Sequence, residues 1–218
     1  MSEVRLIAVD GPAASGKGTL ARRIARHFGF AYLDTGLLYR AVGNAVIAKG
    51  NDFSTPDAAI AAAEKLTPES LENPDLRSEA AGEAASRAAA IPEVRDALVT
   101  FQKDFAASPP DGKPGAVLDG RDIGTVICPD ADRKIFVDAD ISVRAERRVK
   151  ELRERDVDAI HSRVLQNMRE RDARDRSRSV APLAPAKDAF VLDTTSLDAD
   201  AAFAAALEYI SLQDKSDA

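Results

Sequence analysis

The sequence predicts an α/β fold in which a five-stranded parallel sheet is flanked by helices. Short apolar segments and turn signals alternate along the 218 residues, as they do in chains built from β-strand and α-helix units. The predicted strands are apolar on both faces, which is typical of a parallel sheet that helices cover on both sides. A chain of this length suits one domain, so we expect residues 1–218 to form a single domain.

The shorter elements follow from apolar runs and from the glycines that end them. The predicted strands are residues 4–9, 30–34, 115–119, 134–140 and 189–193. A helix is predicted over residues 17–28 because Gly29 supplies a C-terminal stop, and another over residues 37–49 because Gly50 follows it.

Two longer stretches predict helices without strands. Residues 55–108 are rich in alanine, with prolines as breaks, and predict a helical cap over the sheet. Residues 107–115 are a Pro/Gly loop that returns the chain to the sheet. Residues 141–178 predict an arginine-rich helical section, which Pro182 and Pro185 close.

The composition argues against several functions. The chain has 30 Lys and Arg against 36 Asp and Glu, and this net charge of −6 argues against general nucleic-acid binding. With Cys128 as the only cysteine and with two histidines, neither a disulfide nor a zinc site is predicted. No stretch reaches the roughly 20 apolar residues of a membrane span, and no apolar stripe requires a partner. We therefore expect a soluble, cytoplasmic monomer.

Residues 11–19 follow the frame G-x-x-x-x-G-K, directly after a buried strand and at the start of a helix. In such a P-loop, backbone N–H groups converge on phosphate oxygens and the lysine reaches the β- and γ-phosphates. The sequence therefore predicts an ATP-type phosphate site. Its residues are Gly11, Pro12, Ala13, Ala14, Ser15, Gly16, Lys17, Gly18 and Thr19.

One departure from the usual loop concerns Mg²⁺. Gly18 stands where a Ser or Thr hydroxyl normally binds the metal, and Thr19 comes one residue later. This favours a metal held largely by waters and nucleotides, near Thr19. Asp10 and Asp119 each end a strand, where they either orient metal-bound waters or cap a helix or turn.

Polar side chains also follow two other predicted strands. Thr35 ends the second strand with Arg40 one helical turn later, and Arg121 and Asp122 follow the third. Ligands of open α/β sheets bind at the carboxyl ends of the strands, so these groups are expected to meet Lys17 and bind a second anion. The alternatives are a surface charge for Arg40 and a plain turn for the other pair.

The stretch RERDARDRSR places Arg171, Arg174, Asp175 and Arg178 at helical positions i, i+3, i+4 and i+7. Residues 143–178 carry 12 Lys and Arg against 8 Asp and Glu, the reverse of the whole chain. The stripe is therefore a candidate anion-binding wall. The alternatives are a salt-bridged surface helix and, less favoured, a nucleic-acid surface made by residues 144–178.

Five segments carry a resemblance to a known family. The chain resembles the bacterial cytidylate kinases, of the nucleoside monophosphate (NMP) kinase group of P-loop kinases, in DGPAASGKGTLA, YLDTGLLYR, EAASRAAAIPEVRDAL, LDGRDIGTVICPDADRKIFVDA and RERDARDRSRSVAPLAPAKDAFVLD. The segments run through most of the chain, and the last two are quite specific to this family.

The resemblance implies a fold and a reaction. The fold is a P-loop kinase with sheet order 2-3-1-4-5, and the reaction is ATP-dependent phosphorylation of CMP and dCMP with Mg²⁺. The alternative is a kinase for another small acceptor, such as UMP, AMP or a shikimate-like molecule. The core would comprise residues 1–36, 114–145 and 180–212, with an NMP-binding helical segment at about 37–108 and a lid at about 146–179.

The resemblance also implies residue roles. The CMP phosphate would be held by Thr35, Arg40, Arg121 and Arg178. Cytosine would be read by Ser86, Arg95 and Asp122, and the ribose side would be contacted by Arg171 and Asp175. Apart from the resemblance, the basic turn upstream of the stripe predicts ATP-binding arginines at Arg144 and Arg148. Charge stabilisation in phosphoryl transfer is expected from Lys17, Arg121, Arg174 and Arg178.

One segment departs from the family pattern. Many members carry a small β-stranded insertion between the second and third sheet strands. The equivalent stretch of this chain, residues 65–84, is short and predicts no strand.

Overall fold

The protein is described by a computed structural model over residues 5–51, 53 and 56–212. The strands are β1 (Leu6–Asp10), β2 (Ala31–Asp34), β3 (Ala116–Gly120), β4 (Arg133–Asp138) and β5 (Phe190–Asp193). The α-helices are α1 (Lys17–Phe28), α2 (Thr35–Ala48), α3 (Asp57–Glu64), α4 (Glu79–Ala88), α5 (Pro92–Ala107), α6 (Ile141–Arg153), α7 (His161–Ser177) and α8 (Ala199–Leu212).

The five strands form one sheet in the order β2-β3-β1-β4-β5, and every pairing is parallel. This confirms the predicted fold class and strand order. The register aligns the carboxyl ends of the strands, since Asp10 pairs with Gly120 and Asp34 pairs with Asp119. Residues that follow these strands are therefore neighbours in space, although they are far apart in the sequence.

The core lies on both faces of the sheet. On one face, Ile7 and Val9 of β1 pack with Ile24 of α1 and Ile210 of α8. On the other face, Leu118 of β3 packs with Ile123, and α5 covers this side. These side chains are at most 1% exposed, so the sheet is a rigid base for the loops at its carboxyl edge.

Helices α2 to α5 form a cap with its own core, around Leu38, Val42, Val94 and Leu98. The predicted helical segment thus contains helices joined by short connections, with two 3₁₀ turns at Pro68–Leu71 and Pro74–Arg77. No strand occurs in this segment among the described residues, as the sequence predicts.

Several predicted bounds are wrong. Helix α2 begins at Thr35, two residues earlier than predicted, so Thr35 lies in the first helical turn. Residues 141–178 form the predicted helical section as two helices, which are separated because the chain leaves α6 through Asp156 in a left-handed conformation (φ 56°). Arg178 follows the end of α7.

The prediction for the outer strands also needs correction. Strand β5 lies at the edge of the sheet, and Val191 is 56% exposed, so this strand is not covered on both faces. Strand β1 begins at Leu6, and the predicted start at Val4 lies outside the described residues.

No helix within residues 5–51, 53 and 56–212 combines the length and the apolar character needed to cross a membrane.

Candidate active site

The loop between β1 and α1 has the geometry of a phosphate cradle. Gly11 has a φ of 151°, and a Cβ there would lie 2.1 Å from the carbonyl oxygen of Val137, so only glycine fits. Gly16 (φ 91°) and Ala14 (φ 58°) take left-handed conformations that wrap the chain around the start of α1. Helix α1 begins at Lys17, so its first N–H groups face the same space as the loop.

Three spaces with shared lining residues lie beside this loop. A cavity of about 50 Å³, the inner cavity, lies beneath α4 and α7. A polar groove of about 240 Å³, the central groove, runs in front of the loop. A cavity of about 420 Å³, the side cavity, lies between the loop and the segment after β5. Lys17 lines the first two spaces, and Gly16 lines the last two.

All of the predicted substrate-binding residues except Arg40 meet in the inner cavity. Its walls include Lys17, Thr35, Ser86, Arg95, Asp119, Arg121, Asp122, Arg171, Asp175 and Arg178. These residues come from five separate stretches of the sequence: the aligned strand ends contribute some, and the helical cap and α7 contribute the others. Tyr39 also lines this cavity. The sequence analysis missed it, although its position four residues after Thr35 places it on the same helix face.

Lys17 is paired with a buried carboxylate. Its Nζ lies 2.9 Å from Oδ1 of Asp119, and the hydroxyl of Tyr32 donates to Oδ2 of Asp119 at 3.1 Å. Asp34 lies beside Asp119 in the sheet register, and burial together with the charge of Asp119 raises the pKa of Asp34. Asp119 therefore holds the lysine at the boundary between the inner cavity and the central groove.

Asp10 caps a turn. Its two carboxylate oxygens accept the backbone N–H groups of Ile123 and Gly124, each at 2.8 Å. Burial raises the pKa of Asp10 from 3.8 to about 7, against the opposing effect of these hydrogen bonds. Of the two roles that the sequence left open, this geometry favours capping, and both oxygens are already in use.

One end of the inner cavity is a buried polar pair. Arg95, 4% exposed, forms an ion pair with Asp122, 5% exposed, and donates to the carbonyl of Ala89 at 3.2 Å. The Arg95 guanidinium also lies 5.5 Å from the centre of the Tyr39 ring, a cation–π distance. Burying two charges costs desolvation energy that their attraction only partly offsets, and a buried pair beside a cavity is therefore a candidate recognition group.

Asp175 of α7 is a carboxylate surrounded by arginines. It pairs with Nε of Arg121 at 3.1 Å and with Arg178, and the hydroxyl of Ser86 donates to it at 3.2 Å. Burial alone would raise the pKa of Asp175, but Arg121, Arg178 and Arg171 outweigh burial and lower it. The carboxylate therefore stays ionised where a ligand anion would also be attracted.

Arg171 and Arg40 converge on α4. A Cβ on Gly82 would lie 3.2 Å from Nη2 of Arg40 and 3.4 Å from Nη1 of Arg171. Arg40 donates to the carbonyls of Leu76 at 2.7 Å and Ser78 at 3.1 Å. Burial and the charge of Arg121 lower the pKa of Arg171 to about 9. Both arginines line the central groove.

The remaining predicted residues are more dispersed. Thr35 donates its hydroxyl to the carbonyl of Asp119 at 2.8 Å. Arg148 lines the central groove and pairs with Glu151 at 2.9 Å. Arg174 lies outside the inner cavity lining, with its Nε 3.5 Å from the Ser86 hydroxyl. Arg174 and Asp175 both contact the Ser86 hydroxyl, but only Asp175 lines the inner cavity.

Arg144 is buried among protein groups. It is 3% exposed and donates to the carbonyls of Ala139 at 2.9 Å and Ala13 at 3.2 Å, and Nη2 pairs with Asp172 at 2.6 Å. This geometry does not favour the predicted direct contact with ATP, because the guanidinium contacts the outside of the loop.

The side cavity has walls that the sequence analysis did not assign. Arg147, Thr194 and Leu197 face Ser15 and Gly16 of the loop across it. Thr194 follows the carboxyl end of β5, and the rule for strand ends would have identified it. Arg147 gave no comparable signal, since it is one of several arginines along α6.

A phosphate loop and a second basic cavity, both at the carboxyl edge of a parallel 2-3-1-4-5 sheet, define the class of P-loop kinases. Within that class, the chain belongs to the cytidylate kinase family, whose model matches residues 7–212.

Relatives support this assignment over nearly the whole chain. The cytidylate kinase of Paramagnetospirillum magneticum is 60% identical over 205 residues, which are 94% of this chain and 97% of that protein. The cytidylate kinase of Rhodospirillum rubrum is 59% identical over 206 residues, which cover 94% of this chain and 97% of that protein.

Solved structures of lower identity share the fold. An uncharacterised protein from Eubacterium ventriosum has a TM-score of 0.56 at 15% identity, with 94% of this chain and 98% of that chain covered. A sugar kinase from Janibacter sp. has a TM-score of 0.50 at 15% identity, with 95% of each chain covered. These likenesses concern the fold alone.

The residues present suit a metal held mainly by nucleotide phosphates and water. Among the described residues, no group of three or more His, Cys, Asp or Glu is placed to hold a metal ion. Thr19 is exposed and lines the central groove, as does Asp119. A Mg²⁺ ion retains several waters in such sites, so one hydroxyl and one carboxylate beside the phosphates fit it.

Proposed function

We propose that the protein transfers the γ-phosphoryl group of ATP to CMP and dCMP, which gives ADP and CDP or dCDP. The observation that carries the proposal is that Lys17 lines both the central groove and the inner cavity. A lysine at that boundary can contact a phosphoryl group throughout its passage from one nucleotide to the other. The family membership and the identities near 60% support the choice of CMP.

The three spaces would divide the two nucleotides. The side cavity would take the adenosine of ATP, and residues 11–19 would bind its phosphates through their N–H groups. Arg148 and Arg171 line the central groove and would add positive charge beside those phosphates. The inner cavity would take the acceptor nucleotide.

The acceptor phosphate would be bound by a hydroxyl and three guanidiniums, those of Thr35, Arg40, Arg121 and Arg178. Arginine forks suit phosphate because they donate two parallel hydrogen bonds to it. Arg121 lines both the inner cavity and the central groove, so its charge is available to the transferred group as well.

The buried pair would read the base. Cytosine presents its N4 amino group as a donor, and a carboxylate such as Asp122 accepts from it. Arg95 and Ser86 would donate to the acceptor atoms of the same ring. Asp175 and Arg171 would contact the ribose. A site that hydrogen-bonds its substrate in this way discriminates strongly, because a wrong base leaves buried polar groups unpaired.

Transfer would be direct and in line. The residues position the two nucleotides and neutralise charge on the transferred group, which is the main work in phosphoryl transfer. Lys17, Arg121, Arg174 and Arg178 would supply that charge. Mg²⁺, near Thr19 and Asp119, would neutralise phosphate charge when bound.

Access requires a conformational change. Ligand pockets usually have about 300–1,000 Å³, whereas the inner cavity has about 50 Å³. Helix α7, which carries Asp175, would move away for CMP to enter and return to exclude water. The segment 146–179 would act as the lid and 37–108 as the NMP-binding segment.

We further propose that the protein acts as a cytoplasmic monomer without nucleic acid.

The test is ADP formation with CMP, dCMP, UMP and AMP offered in turn. We expect the highest kcat/KM with CMP or dCMP. In Asp122→Asn, an amide donor can face the O4 acceptor of uracil, so the CMP-to-UMP ratio of kcat/KM should fall about tenfold or more. Asp96→Asn, at an exposed position beside Arg95, is the matched control and should keep the ratio.

Two results would contradict this assignment. Equal activity with all four monophosphates would remove the choice of CMP. An unchanged ratio in Asp122→Asn would remove the base-reading role of Asp122.

A further inference from the structure

The phosphate loop is held from behind by two side chains that lie outside its sequence. Thr194, in the segment after β5, is 4% exposed, and its hydroxyl donates to the carbonyl of Ser15 at 2.9 Å. Arg144 of α6 donates to the carbonyl of Ala13 at 3.2 Å. Both contacts cross more than 100 residues of sequence, so only the tertiary fold creates them.

The Thr194 hydroxyl is itself fixed in place. Nη1 of Arg147 donates to this hydroxyl at 3.0 Å, and Nη2 donates to the Thr194 carbonyl at 2.6 Å. The backbone N–H of Thr194 donates to the carbonyl of Asp138 at 2.8 Å. Because the Arg147 guanidinium donates to the hydroxyl oxygen, the hydroxyl proton is available to a carbonyl. Two carbonyls lie within reach, that of Ser15 at 2.9 Å and that of Asp138 at 3.2 Å, and the shorter contact is to Ser15.

Peptide geometry converts these contacts into an effect on phosphate binding. A trans peptide is planar, with its C=O and N–H on opposite sides. A fixed Ser15 carbonyl therefore directs the N–H of Gly16 the other way, and a fixed Ala13 carbonyl does the same for Ala14. Gly16 and Ala14 both have positive φ, so these planes lie at the bends of the loop, where rotation is least restrained by helix hydrogen bonds.

We propose that Thr194 is a positioning residue for the phosphate loop, which acts through the Ser15 carbonyl to aim the Gly16 N–H at nucleotide phosphates. Arg144 acts in the same way through the Ala13 carbonyl. This inference rests on the proposed ATP site at the phosphate loop, which is called the donor site below. It differs from a direct contact with the nucleoside, which is the other role open to Thr194 because it also lines the side cavity.

Two probes separate these roles. ADP carries both phosphates and a nucleoside, and inorganic pyrophosphate carries phosphates only. Their dissociation constants are measured by calorimetry, with CMP present at saturation so that the acceptor arginines are occupied. The affinity for CMP alone and the melting temperature are measured on the same samples.

Thr194→Val removes the hydroxyl and keeps the shape. We expect ADP and pyrophosphate to bind roughly tenfold more weakly, by equal factors, because a buried carbonyl loses its donor. CMP affinity should stay within about twofold of wild type, since one hydrogen bond on the far side of the loop is lost. Thr194→Ser keeps the hydroxyl and should restore both affinities. Thr195→Val is the matched control, because that hydroxyl accepts from Asp140 N–H at 2.9 Å and does not contact the loop.

Each other outcome overturns the inference. Weaker binding of ADP alone would assign Thr194 to the nucleoside. A lower melting temperature with unchanged affinities would make it a residue of stability only. Equal loss for CMP in Thr194→Val and also in Thr194→Ala, which lacks the second methyl of valine, would show a general loss of structure and no specific action on the loop. Failure of the wild-type protein to bind ADP would instead reject the proposed donor site, and the inference with it.

Discussion

At the scale of single residues, the site is built from buried charges that contact one another. Asp10, Asp119, Asp122 and Asp175 are all at most 5% exposed, and each has a specific partner. Burial without a partner would neutralise a carboxylate or unfold the region. The pKa shifts of Asp10 and Asp175 run in opposite directions, because burial dominates at Asp10 and the arginines dominate at Asp175.

Asp10 should make stability fall as pH rises. Its pKa is raised from 3.8 to about 7 by burial, so the folded protein binds this proton more tightly than the unfolded chain does. Its stabilising contribution is complete below the unfolded pKa and is lost as pH rises through about 7, with a slope of roughly 1.4 kcal/mol per pH unit between. Urea denaturation from pH 5 to pH 8 measures this slope, and Asp10→Asn should flatten it.

Asp132 provides the matched control for Asp10. Its carboxylate also accepts two backbone N–H groups, from Arg5 and Leu6 at 2.8 Å, but it is exposed. Asp132→Asn should therefore keep the wild-type slope. A wild-type slope in Asp10→Asn as well would show that another group binds the proton.

Asp175 should compete with ligand anions. It occupies Arg121 and Arg178, the same arginines that the acceptor phosphate would use. In Asp175→Asn these arginines keep their charge and lose the competing carboxylate, so inorganic phosphate should bind about tenfold more tightly. Calorimetric titration with phosphate measures this.

The outcome for Asp175 is informative because the substitution removes a residue from the proposed site and yet should strengthen binding. Asp158→Asn, in the exposed segment between α6 and α7, should leave phosphate affinity unchanged. Equal or weaker phosphate binding by Asp175→Asn would show that the carboxylate organises the arginines and does not compete for them.

At the scale of elements, α6 and α7 are joined as one unit. Arg144 of α6 pairs with Asp172 of α7 at 2.6 Å, with both side chains at most 8% exposed, and an apolar core around Val149 and Val164 lies between the helices. Arg144 also reaches the phosphate loop. The proposed movement of α7 over the acceptor site would therefore be linked to the phosphate loop through Arg144.

Asp172→Ala should destabilise the protein by roughly 3–5 kcal/mol, because it leaves Arg144 buried without its charged partner. Glu151→Ala removes an ion pair of the same helix whose carboxylate is 48% exposed, and it should change stability by less than about 1 kcal/mol. Urea denaturation of both variants gives the comparison. Equal effects would mean that the buried pair adds nothing beyond a surface pair.

At the scale of the whole molecule, the sheet brings distant residues to one edge. Lys17, Thr35, Arg121 and Asp122 were predicted to converge because each follows a predicted strand, and all four line the inner cavity. The sequence could predict this much, since strands are recognisable from apolar runs and ligands bind at their carboxyl ends. Ser86 and Arg95 were different, because on a helical cap nothing in their own spacing marks them, and only the family resemblance selected them.

The sequence by itself determined the fold class, the strand order implied by its family and the position of the phosphate loop. Those features are local, since apolar periodicity, glycines and a lysine at fixed spacing specify them over short stretches. The tertiary structure decided which charges meet. It placed Asp175 among arginines, set Arg144 against the carbonyl of Ala13, and set Thr194 against Ser15, which is 179 residues away in the sequence. Such pairs depend on how strands and helices pack, and no local pattern encodes that packing.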